Sequence, residues 1–359
     1  MNKKTYFPSE NEKKEIITLL KYRGDDFYKL IKDADKLRKE LKGDIVTFIR
    51  NQNLNFSNIC YMGCKFCSFS KREGDKGAYR LKISEIKEKT KIAKKRKVSE
   101  ICITGGIDPK LNYDYYLELI KTIKKEYPEV HIHGFSPFEI YFLSKKNGLS
   151  YEDVLKDFKN AGLRSLAGTA AEILVDNIRE IICPNKLKTD KWIEVIVTAH
   201  SLGIKSTSTI MYGHIETLED IAEHLGIIKK VQEQTNGFSE FIPLPFVYKN
   251  TYLFREGISR RGSTGIEDLS LLATSRLYFG ELLPNIQVSW VKTGSKFAQF
   301  GLLAGANDFG GTLFEENISR EAGAEFGTYM EEEEIIRLIY DAGRIPARRS
   351  TLYEILEYF

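Results

Sequence analysis

Predicted strands separated by helix-length gaps limit this chain more than any other feature. Apolar, β-branched runs predict strands at Ile45–Ile49, Glu100–Thr104, Val130–Phe135, Ser165–Ala167, Lys205–Met211, Glu240–Pro243 and Ile286–Trp290, with a short last one near Ala304–Asn307. From the second to the seventh, their starts lie roughly 30 to 46 residues apart, room each time for one helix and its loops. Amphipathic stretches fill the gaps. Ile83, Ile86, Thr90 and Ala93 line one face, Tyr116, Leu119, Ile120 and Ile123 another, and Thr217–Gln234 and Glu267–Phe279 follow the same period. This alternation predicts an α/β chain, either a closed (β/α)8 TIM-type barrel or a partial barrel of six units. A doubly wound open sheet is the alternative, weakened because no Gly-x-Gly-x-x-Gly follows the first strand. The 359 residues suit a barrel of about 250 residues with added helices. The expected division is an N-terminal helical extension over 1–44 that covers the barrel bottom, a barrel over 45–330, and a C-terminal helical segment over 331–359.

Composition narrows the partners. Fifty-four basic against 50 acidic residues leave a net charge of +4, too small an excess to point to nucleic acid. No run approaches the roughly 18 apolar residues of a membrane span, and the polar start MNKKTYFPSENEKKEI lacks a signal-peptide core. A cytoplasmic protein with no membrane or nucleic-acid partner is expected. The basic stretch Lys82–Lys97 reads as a solvated helix face.

Five cysteines are present, an odd number that argues against a disulfide framework. Cys60, Cys64 and Cys67 form C-x3-C-x2-C shortly after the first strand, where barrels carry active-site loops. Three thiolates on one loop can hold three corners of a 4Fe-4S cluster and leave the fourth iron open. Structural zinc is the competing reading, although it normally takes four ligands and none of the usual type stands close by. Cys102, inside an apolar strand, and Cys183 read as buried small hydrophobes.

The cysteine spacing, with Phe66 before the last Cys, resembles the signature of the radical S-adenosylmethionine (SAM) superfamily. Ile103-Thr104-Gly105-Gly106-Ile107 is similar to that superfamily's glycine-rich end of the second strand, with Ile107 where Glu is frequent. Asn55–Cys60, His131–Ile140, Gly168-Thr169-Ala170-Ala171-Glu172-Ile173-Leu174, Thr209–Thr217, Ser289–Lys292, Gly305–Thr312 and Ala342–Arg349 resemble a subgroup that includes menaquinone-pathway enzymes and, most closely in wording, the deazaflavin-forming CofH family. That resemblance implies a 4Fe-4S cluster on Cys60, Cys64 and Cys67, SAM as cosubstrate, and a barrel interior that shields a radical. It also implies L-tyrosine and 5-amino-6-(D-ribitylamino)uracil as substrates: the Cα–Cβ bond of tyrosine is broken and the hydroxybenzyl fragment joins the uracil C5. A reductant protein and a CofG-like radical SAM partner are the expected macromolecular partners. A futalosine-type menaquinone enzyme, the CofG-like subunit itself, and a non-radical iron–sulfur or zinc protein are the alternatives.

Further residues are candidates for the site. Gly105 and Gly106 are expected to meet the SAM amino group through their backbone. Glu172 is expected to take the SAM ribose hydroxyls, and Arg179, two turns further on, its carboxylate. His131 and His133 share one strand face, and His133 is the likelier substrate contact. Glu139, after a proline suited to a helix's first turn, is a candidate for the tyrosine ammonium or SAM. Tyr212 and His214 stand at the end of the fifth strand for proton relay or phenol binding. Ser289, Lys292, Asn307, Asp308 and Thr312 offer donors and acceptors for the pyrimidine or its ribityl chain.

Overall fold

The computed structural model describes residues 6–359, so residues 1–5 of the expected extension lie outside the described residues. The strands are β1 Ile45–Ile49, β2 Asn51–Asn55, β3 Glu100–Thr104, β4 His131–Gly134, β5 Ser165–Leu166, β6 Lys205–Tyr212, β7 Phe238–Pro245, β8 Asp308–Gly311, β9 Ile345–Arg349 and β10 Ile355–Tyr358. The first helices are α1 Glu10–Leu20, α2 Asp25–Lys42, α3 Ile83–Lys95, α4 Tyr113–Glu126, α5 Pro137–Asn147, α6 Tyr151–Ala161, α7 Asp176–Ile182 and α8 Thr189–Ser201. They are followed by α9 Leu218–Thr235, α10 Tyr252–Arg255, α11 Gly265–Phe279, α12 Trp290–Thr293, α13 Ser295–Leu303, α14 Ile318–Glu321 and α15 Glu332–Asp341.

β2 through β7 pair in chain order, all parallel. The ring then closes. Phe241 of β7 bridges Ile286, Gln287 bridges Asp308 of β8, and β8 pairs with β1 through Thr47 and Asp308. Phe314 continues that edge against Gln52. β1 and β2 are one extended chain broken only at Arg50, so the first barrel strand is twice the predicted length. Its lower half pairs with β9 and its upper half with β3.

The helices pack apolar stripes against the outer face of the sheet. Ile101 and Ile103 of β3 face Ile86, Leu119 and Ile123 in one continuous core. Their neighbours Glu100, Cys102 and Thr104 alternate to the lumen side, as the period of two requires. Cys102 is accordingly half-buried against the lumen rather than packed in the core, while Cys183 is buried.

Three expectations need correction. The last barrel strand lies at Asp308–Gly311, after Ala304–Asn307. The C-terminal segment is only partly helical, because α15 is followed by the β9–β10 hairpin, which adds to the sheet. The N-terminal helices do not cap the barrel bottom. α1 packs on α9 and α11, and α2 on α11 and α13, along the outer ring.

The hairpin fills the lower lumen instead. Arg349, 2% exposed, donates to Asp308, whose Oδ2 also accepts from Thr47. The Tyr353 hydroxyl donates to Glu240 Oε2 at 2.6 Å, and Arg349 reaches the same carboxylate at 3.5 Å. A second polar group sits beside it. Ser165 Oγ bridges His131 Nε2 and His133 Nδ1, each at 2.7 Å.

Candidate active site

A cavity of about 280 Å³ opens at the C-terminal ends of the strands, the end where barrels place chemistry. Four of the segments that line it follow strands. The cysteine loop after β2 brings Phe66, Cys67 and Ser68. Thr104 and Gly105 end β3, Ser136 and Glu139 follow β4, and Thr169, Ala170 and Glu172 follow β5.

The cysteine loop is held against β3 by contacts that only glycine permits. A Cβ on Gly106 would stand 2.3 Å from the Ile59 carbonyl oxygen, and one on Gly105 would stand 2.5 Å from the Phe56 ring. The Gly106 N–H donates to Ser57 O at 2.7 Å. Gly105 lines the cavity and Gly106 braces the loop behind it. Cys60, Cys64 and Cys67 are all half-buried free thiols on this loop. Burial pushes the Cys64 and Cys67 thiols up, each raised further by a neighbouring cysteine, while the Lys186 ammonium opposes the rise. A single zinc ion wants four donors at one point, and no three His, Cys, Asp or Glu side chains converge that way among the described residues. Three soft sulfur donors on one short loop fit an iron–sulfur cluster, whose ligands are thiolates.

Glu139 is placed by its own sequence. Ser136-Pro137-Phe138-Glu139 starts α5 with a capping box: the Ser136 N–H donates to Glu139 Oε2 at 2.7 Å and the Glu139 N–H to Ser136 Oγ at 3.4 Å. Oε1 is left buried on the cavity side with no partner. Burial pushes the Glu139 carboxyl up to about 7, against the pull of the Ser136 bonds and of Lys186.

The loop after β5 is strained. Ala170 and Glu172 have φ of 61° and 44°, as Phe135 after β4 has 57°, a region costly for residues with a Cβ and often tied to function. Arg179 holds it there. Its guanidinium donates to the carbonyls of Ala170 at 3.1 Å, Ile173 at 3.2 Å and Leu187 at 2.8 Å, and to that of Ala171. Glu172 thereby faces the cavity, with Oε1 2.6 Å from Lys186 Nζ.

Sequence reasoning missed Lys186. It lies in Cys183-Pro184-Asn185-Lys186 between α7 and α8, in a pattern that carries no recognisable signal. The folded loop sets it over the Phe66 ring, 5.5 Å from the centroid, and on the cavity wall. Lys292, from the turn after Ile286–Val288, also lines the cavity. Its ammonium donates to Ser319 Oγ at 3.2 Å, and burial holds it below the usual lysine range against the pull of the Glu316 carboxylate.

Of the expected site residues, Cys67, Gly105, Glu139, Glu172 and Lys292 line this cavity. Several others do not, each for a visible reason. His133 sits lower in the lumen on Ser165, and Arg179 is consumed by loop carbonyls. The Tyr212 hydroxyl donates to Asp268 Oδ1 at 2.8 Å, on the far side of β6. His214 accepts the Ile215 N–H at Nδ1 and reaches Met211 O from Nε2, so backbone occupies both nitrogens. Ser289 caps the turn of α12 through its carbonyl. Asn307 Oδ1 accepts from Arg276 and from the Ile286 N–H, closing the barrel seam. Asp308 belongs to the Arg349 pair, and Thr312 Oγ1 is bonded to the Asn51 backbone.

Comparison with known proteins agrees with this arrangement. Residues 54–228 match the radical SAM superfamily model, and residues 235–359 match the CofH/MqnC C-terminal region. A "5-amino-6-(D-ribitylamino)uracil–L-tyrosine 4-hydroxyphenyl transferase" of Methanocaldococcus jannaschii is 49% identical over 99% of this chain and 100% of its own length. A relative of the same name from Archaeoglobus fulgidus is 49% identical over 92% of this chain and 94% of its own. The chain belongs to this radical SAM transferase family. Among solved structures, methylornithine synthase PylB superposes with a TM-score of 0.73 over 94% of both chains at 20% identity. The hydrogenase maturase HydG gives 0.69 over 95% of this chain and 76% of its own at 16% identity. At those identities the likeness shows the shared barrel fold and no more. No helix among the described residues is long and apolar enough to cross a membrane.

Proposed function

We propose that the chain catalyses the reaction its relatives' name describes, the transfer of the tyrosine side-chain fragment to 5-amino-6-(D-ribitylamino)uracil. The observation that carries this reading is identity near one half over the full length of same-named relatives, joined to a cavity lined by Cys67 and by Glu139, one oxygen of which has no partner. Cys60, Cys64 and Cys67 would hold a 4Fe-4S cluster, and the Gly105 backbone would meet SAM. When bound, these groups supply the radical that removes hydrogen from the substrate.

The protein's own groups bind and orient. Glu172 accepts from the SAM ribose hydroxyls. Lys186, rather than Arg179, is the cation that meets the SAM carboxylate, because Arg179 is spent on shaping the loop. Glu139 Oε1 accepts from the tyrosine ammonium and can take a proton from it near neutral pH, where its acidity lies. The β-strand walls exclude water from the reacting carbon. A reductant protein supplies the electron, and a CofG-like enzyme consumes the product.

Anaerobic turnover with SAM, reductant, tyrosine and the pyrimidine tests the reading. Tyrosine-dependent 5′-deoxyadenosine and a coupled hydroxybenzyl–pyrimidine product are expected. Deoxyadenosine that forms only with a different substrate, and never with tyrosine, would overturn it.

A further inference from the structure

The reaction cavity is small for its task. Single small-ligand sites occupy roughly 300–1,000 Å³, whereas this one holds about 280 Å³ and, on the proposed function, must bring SAM, tyrosine and a ribityl pyrimidine together. A second chamber of about 310 Å³ adjoins it, and Pro245, Phe246, Val247 and Lys292 line both.

The charge of the second chamber differs from that of the first. Lys292, at the shared wall, has no carboxylate at ion-pair distance among the described residues and bonds only to Ser319 Oγ. Arg261, exposed at the chamber's other side, makes no hydrogen bond or ion pair among the described residues. The acids there are already engaged: Asp268 accepts from Tyr212 and Ser263, and Glu325 pairs with Lys249. Donors are therefore free and acceptors are not. Aromatic rings of Tyr248, Phe297 and Phe326 complete the lining, faces on which a flat heterocycle can lie.

A larger hollow of about 650 Å³ on the opposite side fits less well. It holds cations unpaired among the described residues too, Lys71 and Lys76, beside the pairs Lys89–Glu315 and Arg320–Glu321, but it shares no lining residue with the reaction cavity. Asn55, fixed on Thr104 at 2.9 Å, stands between it and the reaction cavity.

We infer that the second chamber is the binding site for the pyrimidine substrate, with Lys292 meeting a ring carbonyl at the shared wall and Arg261 meeting the polyol chain. The inference rests on the proposed function for the identity of the ligand. A pyrimidinedione with a hydroxylated chain offers two ring carbonyls and the hydroxyl oxygens to these free donors. Glu139, in the reaction cavity, matches the tyrosine ammonium, and separate KM values distinguish a Lys292 contact to the pyrimidine from one to the tyrosine carboxylate.

The test uses Lys292→Met and Arg261→Ala in the cluster-loaded enzyme, with KM measured separately for pyrimidine and tyrosine and pyrimidine affinity measured directly by calorimetry. Loss of a charged donor predicts a rise in KM and Kd for 5-amino-6-(D-ribitylamino)uracil of about tenfold or more in Lys292→Met, and about threefold in Arg261→Ala. The tyrosine KM should stay within about twofold. With 5,6-diaminouracil, which lacks the chain, Arg261→Ala should match the wild type. A rise in the tyrosine KM instead, or unmoved pyrimidine affinity in both variants, overturns the inference. Arg261 is exposed and unpartnered, so its variant reports even where Lys292→Met fails to fold. Wild-type binding of the pyrimidine without turnover would sink the proposed function and leave the chamber assignment standing. Absence of binding would remove both.

Discussion

At the lower level of the lumen, Arg349, Asp308, Glu240 and Tyr353 bind one another, and His131 and His133 share Ser165. At the upper level, Glu139 keeps a bare oxygen, Lys292 has no carboxylate at ion-pair distance among the described residues, and the thiols are free. The two levels use the same residue types. They differ in how many of the polar groups have partners: Glu172 and Lys186 pair at the upper level, but others there do not. Committed groups hold a fold together, and only uncommitted ones can meet a ligand without first breaking a bond.

The largest expected effect breaks the upper level outright. Cys64→Ala should remove the visible iron–sulfur absorption and bring deoxyadenosine and product formation below detection; retained turnover would contradict the cluster assignment. Next comes Glu139→Gln, expected to lower turnover about 100-fold or more while the protein stays folded. Its pH dependence has a definite sign. Burial raises the folded carboxyl to about 7, so its contribution to stability is full below the unfolded carboxyl range and is lost as pH rises through about 7. Chemical denaturation between pH 5 and 8 should therefore show a shallower fall in stability for Glu139→Gln than for the wild type. Glu240, raised to about 7 as well, is common to both proteins and cancels in the difference.

The lower level should respond the other way. Asp308→Ala leaves a buried guanidinium with only the more distant Glu240 carboxylate and is expected to cost about 3–5 kcal/mol of stability, read by thermal or denaturant unfolding. Its folded fraction should turn over within a few-fold of wild type. The smallest effect is assigned to His133→Asn, with kcat changed by no more than about threefold; a loss of 100-fold would move His133 back into the chemistry.

Much of the barrel was legible from residue spacing because most of its strands are β-branched runs with helix-length gaps. The last strand was misplaced because its Phe309-Gly310-Gly311 lacks that signal, and its neighbour Ala304–Asn307 is apolar for a different reason, packing under the seam. β9 and β10 escaped the pattern because Ile345-Pro346-Ala347-Arg348-Arg349 is not an apolar, β-branched run and β10 is exposed throughout, yet Arg349 enters the lumen. At the site, the cysteines and Glu139 carry local signatures in a loop spacing and a capping box. Partnership across the fold has no such signature. Arg179 and Lys186 look interchangeable in sequence, yet one clamps carbonyls and the other reaches the cavity. Asn307, Asp308 and Thr312 carry suitable groups that closure of the ring has already used.

The most direct measurement compares Glu139→Gln and Asp308→Asn side by side. Both carry an isosteric amide, one at each level, and anaerobic product formation is normalised to folded, cluster-loaded enzyme. Loss of product in Glu139→Gln with product retained in Asp308→Asn is the result expected if free polar groups at the strand C-termini do the chemistry. Full turnover in Glu139→Gln, with product lost in folded Asp308→Asn, would contradict it.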